Sequence, residues 1–492
     1  MSTPFRTSRQ LARPSTRPST RPLTRAFVKP LMVAGAIAVA TSQAVAAGEA
    51  KNVIFFLGDG MGPVTVTASR IYKYGEGGKL TMETLPRTAR IRTYSLDAQT
   101  TDSAPSMAAY MTGVKMRNEV LSMDGSTLAK RPSADTAVTP NVGNAVNNCP
   151  AIGNGASVPT ILEQAIGKGK GTGVVTTARL THATPAATYS HSCHRDAEYA
   201  IAAQAVPGGA GFNAALGTGI DVLLGGISYY WRPFDAATNP RGRPDKRDLV
   251  AELQAKGYAA ASDLASFNVA PSSGRMIGLF DQALAQGHMS YELDRDPAKE
   301  PSLAQMTTKA IDILSKNPNG YFLMVEGGRI DHALHGTNAK RALADTISFD
   351  DAIKAALGKV DLSNTLVVVT ADHDHTIAFN GYSHLGNDIL GKTTDVKTKK
   401  PVLAADGLPF TTLVFGNGGT PRQGVRGDIT SVDTSGNKDY LQEVGVQLGT
   451  PGSETHGGGD VMLFATGAGS NVFKGSLDNT KVFGLLRTAF GF

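Results

Sequence analysis

An α/β sandwich of three layers, a central and largely parallel β-sheet flanked by helices, is the fold predicted by the 492-residue sequence. Three observations predict it. Short runs at 52–57, 172–177, 221–224, 321–325, 365–370, 411–415 and 461–465 read as strands, and most are nearly continuous in Val, Ile, Leu and Phe, as strands buried on both faces are. Helical periodicity fills the chain between several of them, the alternation expected of parallel strands joined by crossover helices. Three of the runs lead, directly or after one residue, into an acid, and in open α/β sheets ligands gather outside the carboxyl ends of strands. No internal repeat and no heptad pattern competes with this reading.

From the start of the chain, residues 1–46 read as a secretory signal peptide. They hold six Arg, Lys29 and no acid, then an apolar run at 31–40, then Ala44-Val45-Ala46 in the small-x-small pattern of a cleavage site. The run is shorter than the ~20 residues of a spanning helix, so the mature chain is expected to begin near Ala47, in the periplasm or outside the cell. Those seven cations exceed the formal net charge of +6, so the remaining chain is close to neutral and gives no reason to expect nucleic-acid binding. Cys149 and Cys193, the two cysteines, fit one disulfide in an exported protein.

The run at 52–57 delivers Gly58-Asp59-Gly60, a turn that sets a carboxylate at a strand end. At 100–113, Asp102 and Ser103 are N-cap types, Pro105 is tolerated only in a first helical turn, and Ala, Met and Tyr carry a helix to Gly113. An anion arriving there meets free N–H groups and the positive end of a helix. A serine hydroxyl there can attack once a base or metal ion takes its proton, which makes Ser103 the candidate nucleophile. Residues 115–155, rich in Asn, Gly, Ser and Ala, read as a surface excursion. After the run at 172–177 come His182, Thr184 and Arg195, whose guanidinium can grip a phosphate with two parallel hydrogen bonds.

The helix expected at 302–316 puts Leu303, Met306, Ala310, Ile313 and Leu314 on one face, and that at 338–356 does the same with Ala342, Thr346, Phe349 and Ile353. The run at 321–325 ends in Glu326. Asp331 and His335, four apart, share a face if the chain is helical there, which leaves His332 pointing elsewhere, behind the ligands. The run at 365–370 ends in Asp372-His373, oxygen and nitrogen donors suited to zinc. Residues 376–455, with Lys/Thr runs and Gly-rich turns, form a second excursion. His456 follows it, at the opening of the last strand, where it could complete a ligand set.

These motifs, in this order, make the sequence from about Lys51 to the C-terminus resemble the bacterial alkaline phosphatases. The resemblance is carried by Gly-Asp-Gly-Met-Gly at 58–62, Thr-Asp-Ser-Ala at 101–104, Thr-Gly-Val-Lys at 112–115, Ala-Thr-Pro-Ala-Ala at 183–187, Arg195, Val-Glu-Gly at 325–327, Asp331 with His335, Thr-Ala-Asp-His at 370–373, and His456. It implies one catalytic domain over 47–492 and three metal ions. Asp331, His335 and His456 would hold one zinc, and Asp59, Asp372 and His373 a second, beside Ser103. Asp59, Thr184 and Glu326 would hold a magnesium, with Arg195 clamping the phosphoryl oxygens. It also implies a homodimer, with 376–455 supplying an inserted crown. Many bacterial members carry an aspartate where this chain has His182 and a lysine where it has His332. The two histidines resemble the animal enzymes and some marine or cold-living bacterial ones, and they set the third metal's site apart.

The implied reaction is broad-range hydrolysis of phosphate monoesters to an alcohol and inorganic phosphate through a phosphoserine. The alternatives are a sulfatase or phosphodiesterase of the same superfamily, or a secreted phosphate- or metal-binding protein without turnover. The sulfatase pattern needs an Arg four residues after the nucleophile, where this chain has Met107. Arg195 favours a dianion with one ester substituent, and a binding protein has no need of Ser103.

Overall fold

The computed structural model describes residues 50–133, 147–150, 153–226, 229–280, 287–419, 426–448 and 453–492. The signal-peptide reading of 1–46 lies outside the described residues. In chain order the strands are β1 (Asn52–Gly58), β2 (Arg87–Arg92), β3 (Gly171–Arg179), β4 (Val222–Gly226), β5 (Tyr258–Ala261), β6 (Arg275–Phe280), β7 (Tyr321–Gly327) and β8 (Thr365–Ala371). They continue with β9 (Asp374–His375), β10 (Ile377–Phe379), β11 (Leu413–Gly418), β12 (Val444–Gln447), β13 (His456–Gly457), β14 (Val461–Gly467) and β15 (Gly475–Asp478). Ten of them form one sheet in the order β15-β2-β14-β8-β1-β7-β3-β4-β6-β5. Neighbours are parallel except where β14 meets β8 and β2, so the sheet is largely parallel, as expected.

The centre of the sheet follows from its apolar runs. β1 lies between β7 and β8, with Ile54 opposite Leu323 on one side and Val367 on the other, and Val53–Leu57 are buried without a break. Two groups of helices cover the strands. Pro63–Tyr74, Leu303–Leu314 and Ala339–Leu357 pack together, as do Ser103–Thr112, Ile161–Gly167, Ala183–Tyr189 and Asn479–Phe490. Members of both groups touch β1 and β7, whose faces are all buried, so the groups lie on opposite sides of the sheet. The expected helix faces are the ones that pack. Leu303, Met306, Ala310, Ile313 and Leu314 are buried, as are Ala342, Thr346, Phe349 and Ile353. Each large apolar side chain so buried contributes about 1.5–3 kcal/mol relative to exposure. Ser302 and Gln305 close a reciprocal cap at the start of the first of these helices.

Two features depart from expectation. The run at 411–415 is a strand, but β11 lies outside the main sheet, between β10 and β12 in a small sheet whose outer face is partly exposed. β2, β5, β6 and β15 join the main sheet without a signal that singled them out. All four lie at or next to its ends, and in β2 the arginines face out while Ala89 and Ile91 face in. Cys149 and Cys193 are bridged, with their Cα atoms 5.6 Å apart.

Candidate metal centre

The register of three strands assembles the first acids. Gly58 at the end of β1 pairs with Gly327 of β7 and Ala371 of β8, so all three strands stop at one level. The chain leaving them brings Asp59, Glu326, Asp372 and His373 together, all wholly buried. Gly60, with φ 64, turns its N–H onto Asp372 Oδ1 at 3.0 Å. Asp59 Oδ2, Asp372 Oδ2 and Glu326 Oε1 have no hydrogen-bond partner among the described residues, and neither do Thr184 Oγ1 and His182 Nδ1.

Buried carboxylates without partners are costly, and their acidity records it. Burial, then the charges of Asp372, Asp331 and Glu326, pushes Asp59 well above the ordinary carboxylate range. Burial outweighs the Thr176 hydroxyl bonded to Glu326 and pushes that group up to about 8. Asp372 rises to about 6 by burial despite the Gly60 N–H. Acids so placed fit a bound cation, which restores their charged form. Two sets of donor atoms, Asp59–Asp372–His373 and Asp59–His182–Glu326, each lie within 4.8 Å of one another.

The histidines are presented as ligands. His373 is kept neutral by burial, which lowers its pKa to about 3. Its Nδ1 meets Asp374 O at 3.2 Å, which fixes the proton there. Nε2 is then a lone pair, yet it faces Asp59 Oδ1 at 3.4 Å and Asp372 Oδ2 at 3.3 Å. The same contradiction recurs nearby. His335 Nδ1 donates to Glu454 O at 2.6 Å and His456 Nδ1 to Thr101 O at 2.8 Å, so their Nε2 lone pairs confront each other at 3.0 Å. Asp331 Oδ1 is 3.3 Å from the first and 3.5 Å from the second. A ring donating Nδ1–H to a carbonyl with Nε2 turned inward is the posture of a metal ligand.

Ser103 opens the helix Ser103–Thr112 next to these groups, one residue past its cap Asp102, whose Oδ1 accepts from Ala104 N. Its Oγ is 3.2 Å from His373 Nε2 and 3.4 Å from Asp59 Oδ1, and the residue is 2% exposed. Pro105 falls in the first turn, where no N–H is missed, and Gly113 ends the helix at φ 75. Tyr110 Oη donates to Ala371 O, which ties the helix to the end of β8.

Arg195 does not present a free fork. Nη1 donates to Asp102 Oδ1 at 3.1 Å and Nη2 to His182 Nε2 at 3.0 Å. His332 has its ring 4.0 Å from that of His288 and 5.2 Å from that of His182, with Nδ1 against Arg329.

The family model for alkaline phosphatase matches residues 50–492. The chain belongs to the alkaline phosphatase family. It is 37% identical to the alkaline phosphatase of Gadus morhua over 456 residues, 87% of this chain and 89% of that protein. It is 36% identical to the human tissue-nonspecific isozyme over 456 residues, 87% of this chain and 81% of that one. Its fold is similar to that of the Thermus thermophilus alkaline phosphatase, with TM-score 0.63 and 24% identity over 94% of this chain and 96% of that one. The enzyme of the Antarctic bacterium TAB5 gives 0.60 and 23% over 90% and 98%. As an alkaline phosphatase the chain is a metal-dependent phosphoric monoester hydrolase of α/β fold.

Two residues of this alkaline phosphatase site escaped the sequence reading. His375 Nε2 lies 2.7 Å from Asp331 Oδ1 and its Nδ1 2.5 Å from Glu454 Oε2. Burial opposes its protonation, but bonds to Asp331 and Glu454 prevail and push it up to about 10. Asp331, for its part, is held well below the ordinary range against burial by the imidazoles of His335 and His375. The signal was the alternation Asp372-His373-Asp374-His375, in which a second histidine follows at strand spacing.

Proposed function

We propose that this alkaline phosphatase works through a phosphoserine at Ser103, with two zinc ions and one magnesium held by its three donor groups. The observation that carries the reading is the set of inward-turned Nε2 lone pairs on the buried His373 and the part-buried His335 and His456, which face carboxylate oxygens or each other. Asp331, His335 and His456 would hold one zinc and Asp59, Asp372 and His373 the other. Asp59, Glu326, Thr184 and His182 would surround the magnesium. When bound, the zinc ions make hydroxyl and water oxygens acidic and stabilise the departing alcohol oxygen.

The chain's own residues do the rest. Ser103 is nearly dry and already fixed beside His373 and Asp59, so little ordering remains at the moment of attack. As Oγ bonds to phosphorus and the ester bond breaks, charge spreads over the phosphoryl oxygens. The N–H groups of the first helical turn and the guanidinium of Arg195 receive it. Asp102 holds Arg195 by one nitrogen, so the other can turn from His182 to the substrate, exchanging a hydrogen bond to a neutral imidazole for one to a phosphoryl anion. Water then cleaves the Ser103 ester and inorganic phosphate leaves.

Export to the periplasm or beyond is supported by the leader and by the Cys149–Cys193 bridge, and no described helix is long and apolar enough to cross a membrane. A homodimer through the crown segment is supported by Tyr382 and Leu385, which are 92% and 82% exposed there, and the mass in solution checks it. The reaction is tested by Ser103→Ala. We expect no acid-trapped phosphoenzyme and loss of monoester hydrolysis with zinc content unchanged, because every donor lies on another residue. Label on another side chain would overturn the assignment.

A further inference from the structure

Beside the metal groups lies a polar pocket of about 280 Å³, lined by Glu119, Arg179, His182, Arg195 and Glu198 with the pair Arg131–Asp196. Through His182 and Arg195 it opens onto the place where the phosphoryl group is read to sit. Three guanidinium groups face this pocket, and each has a carboxylate of its own. Arg131 is 3.2 Å from Asp196, Arg179 reaches both oxygens of Glu198 at 2.8 and 2.9 Å, and Arg195 is 3.1 Å from Asp102. Glu119 is left over. Among the described residues its one ion-pair contact is His194 Nε2 at 3.8 Å, an imidazole that burial holds below its ordinary range.

Glu119 is also strained. Its φ of 72 is a conformation open to glycine and disfavoured for a side chain. The backbone is fixed there, since its N–H donates to Asp102 Oδ2 at 2.5 Å and its carbonyl accepts from Arg195 N at 2.8 Å. Glycine would make both bonds without strain. They explain the conformation, therefore, and leave the side chain unexplained.

We propose that Glu119 is a specificity-determining residue that favours monoesters whose leaving alcohol carries a cation, the phosphates of short amino alcohols. The proposal rests on the reading of Ser103 and Arg195 as the groups that engage the phosphoryl. An ammonium a few bonds from the ester oxygen would find in Glu119 the pocket's one carboxylate that, among the described residues, has no guanidinium within ion-pair distance, the charges of Arg195 and Arg131 acting on it only from further off. An anionic alcohol would meet repulsion.

The test compares kcat/KM for ethanolamine phosphate, propyl phosphate and phosphoglycolate in the wild type, Glu119→Gln and Glu119→Gly. In both variants the ethanolamine-to-propyl ratio is expected to fall about three- to fivefold, the size of a partly exposed ion pair. The phosphoglycolate-to-propyl ratio should rise by a similar factor, and added salt should narrow the wild-type preference. Glu119→Gly, relieved of strain, should melt no lower than the wild type. Ratios unchanged in both variants, with all three esters slowed alike, would overturn the proposal and leave Glu119 a scaffold for Asp102 and Arg195. Propyl phosphate hydrolysed by Ser103→Ala at the wild-type rate would instead sink the reading of the site, which is a different result.

Discussion

His182 concentrates the chemistry that separates this site from one with an aspartate in its place. Arg195 can only donate, so its 3.0 Å contact makes His182 Nε2 the acceptor and leaves the proton on Nδ1, which points among Asp59 and Glu326. Burial first, then the positive charges of Arg195 and Arg179, keep the ring neutral. An N–H has no lone pair for a cation. For Nδ1 to become a ligand its proton must move to Nε2, where the guanidinium donor already sits, so the Arg195 contact and direct ligation exclude each other. Magnesium also prefers oxygen and keeps its waters. His182→Asp restores a charged oxygen donor that can still accept from Arg195. We expect it to tighten magnesium binding on the order of tenfold or more with the zinc sites full, read by magnesium titration. Equal affinities in the two proteins would show that His182 does not line this site.

At the scale of elements, the centre depends on strands that stop together and on a small antiparallel pair that seals them. β9 and β13 set His375 opposite His456, and Glu454 beside them takes Thr376 N at 2.6 Å and His375 Nδ1 at 2.5 Å. Gly60 fits against this pair only because it lacks a side chain. A Cβ there would lie 2.4 Å from His375 Cδ2, on a residue already at φ 64. His375, clasped by Asp331 and Glu454, has nowhere to go. Gly60→Ala should therefore cost about 1–3 kcal/mol of stability by overpacking and lower zinc content at the Asp331–His335–His456 group, measured by metal analysis and thermal melting. Full zinc content with unchanged melting would refute this. The same geometry shows what the sequence could disclose. β1, β7 and β8 declare themselves by unbroken apolar runs, and their ends name Asp59, Glu326, Asp372 and His373. β2 hides because Arg87, Arg90 and Arg92 dominate its composition while only Ala89 and Ile91 turn inward. The clasp of Glu454 on His375, and the grip of Asp102 on Arg195, rest on contacts between distant stretches of chain that no local spacing encodes.

The whole molecule carries its site as a liability that bound metal converts into stability. The bridge Cys149–Cys193 tightens the chain independently of the site, by roughly 3–4 kcal/mol through the unfolded state. The acids work in the other direction. Glu326 releases its proton near 4.5 in the unfolded chain and near about 8 in the folded one. Between those values the folded chain keeps a proton that the unfolded chain has lost, so stability falls as pH rises through that window. Asp59 shifts in the same direction. His375, raised from 6.5 to about 10, contributes fully below the lower value and is lost as pH climbs towards the upper, again favouring lower pH. Asp331, held low, contributes above 3.8 and is lost only in stronger acid. A chelated protein should thus become steadily easier to melt from about pH 4.5 towards about 8, as its unshared carboxylates ionise. Metal binds the deprotonated ligands, so its contribution grows over the same interval. Melting curves of zinc- and magnesium-loaded and chelated protein should separate by several degrees more at the upper end of that window than at the lower. A separation that stays constant with pH would mean that Asp59 and Glu326 are not the groups whose charge the ions offset.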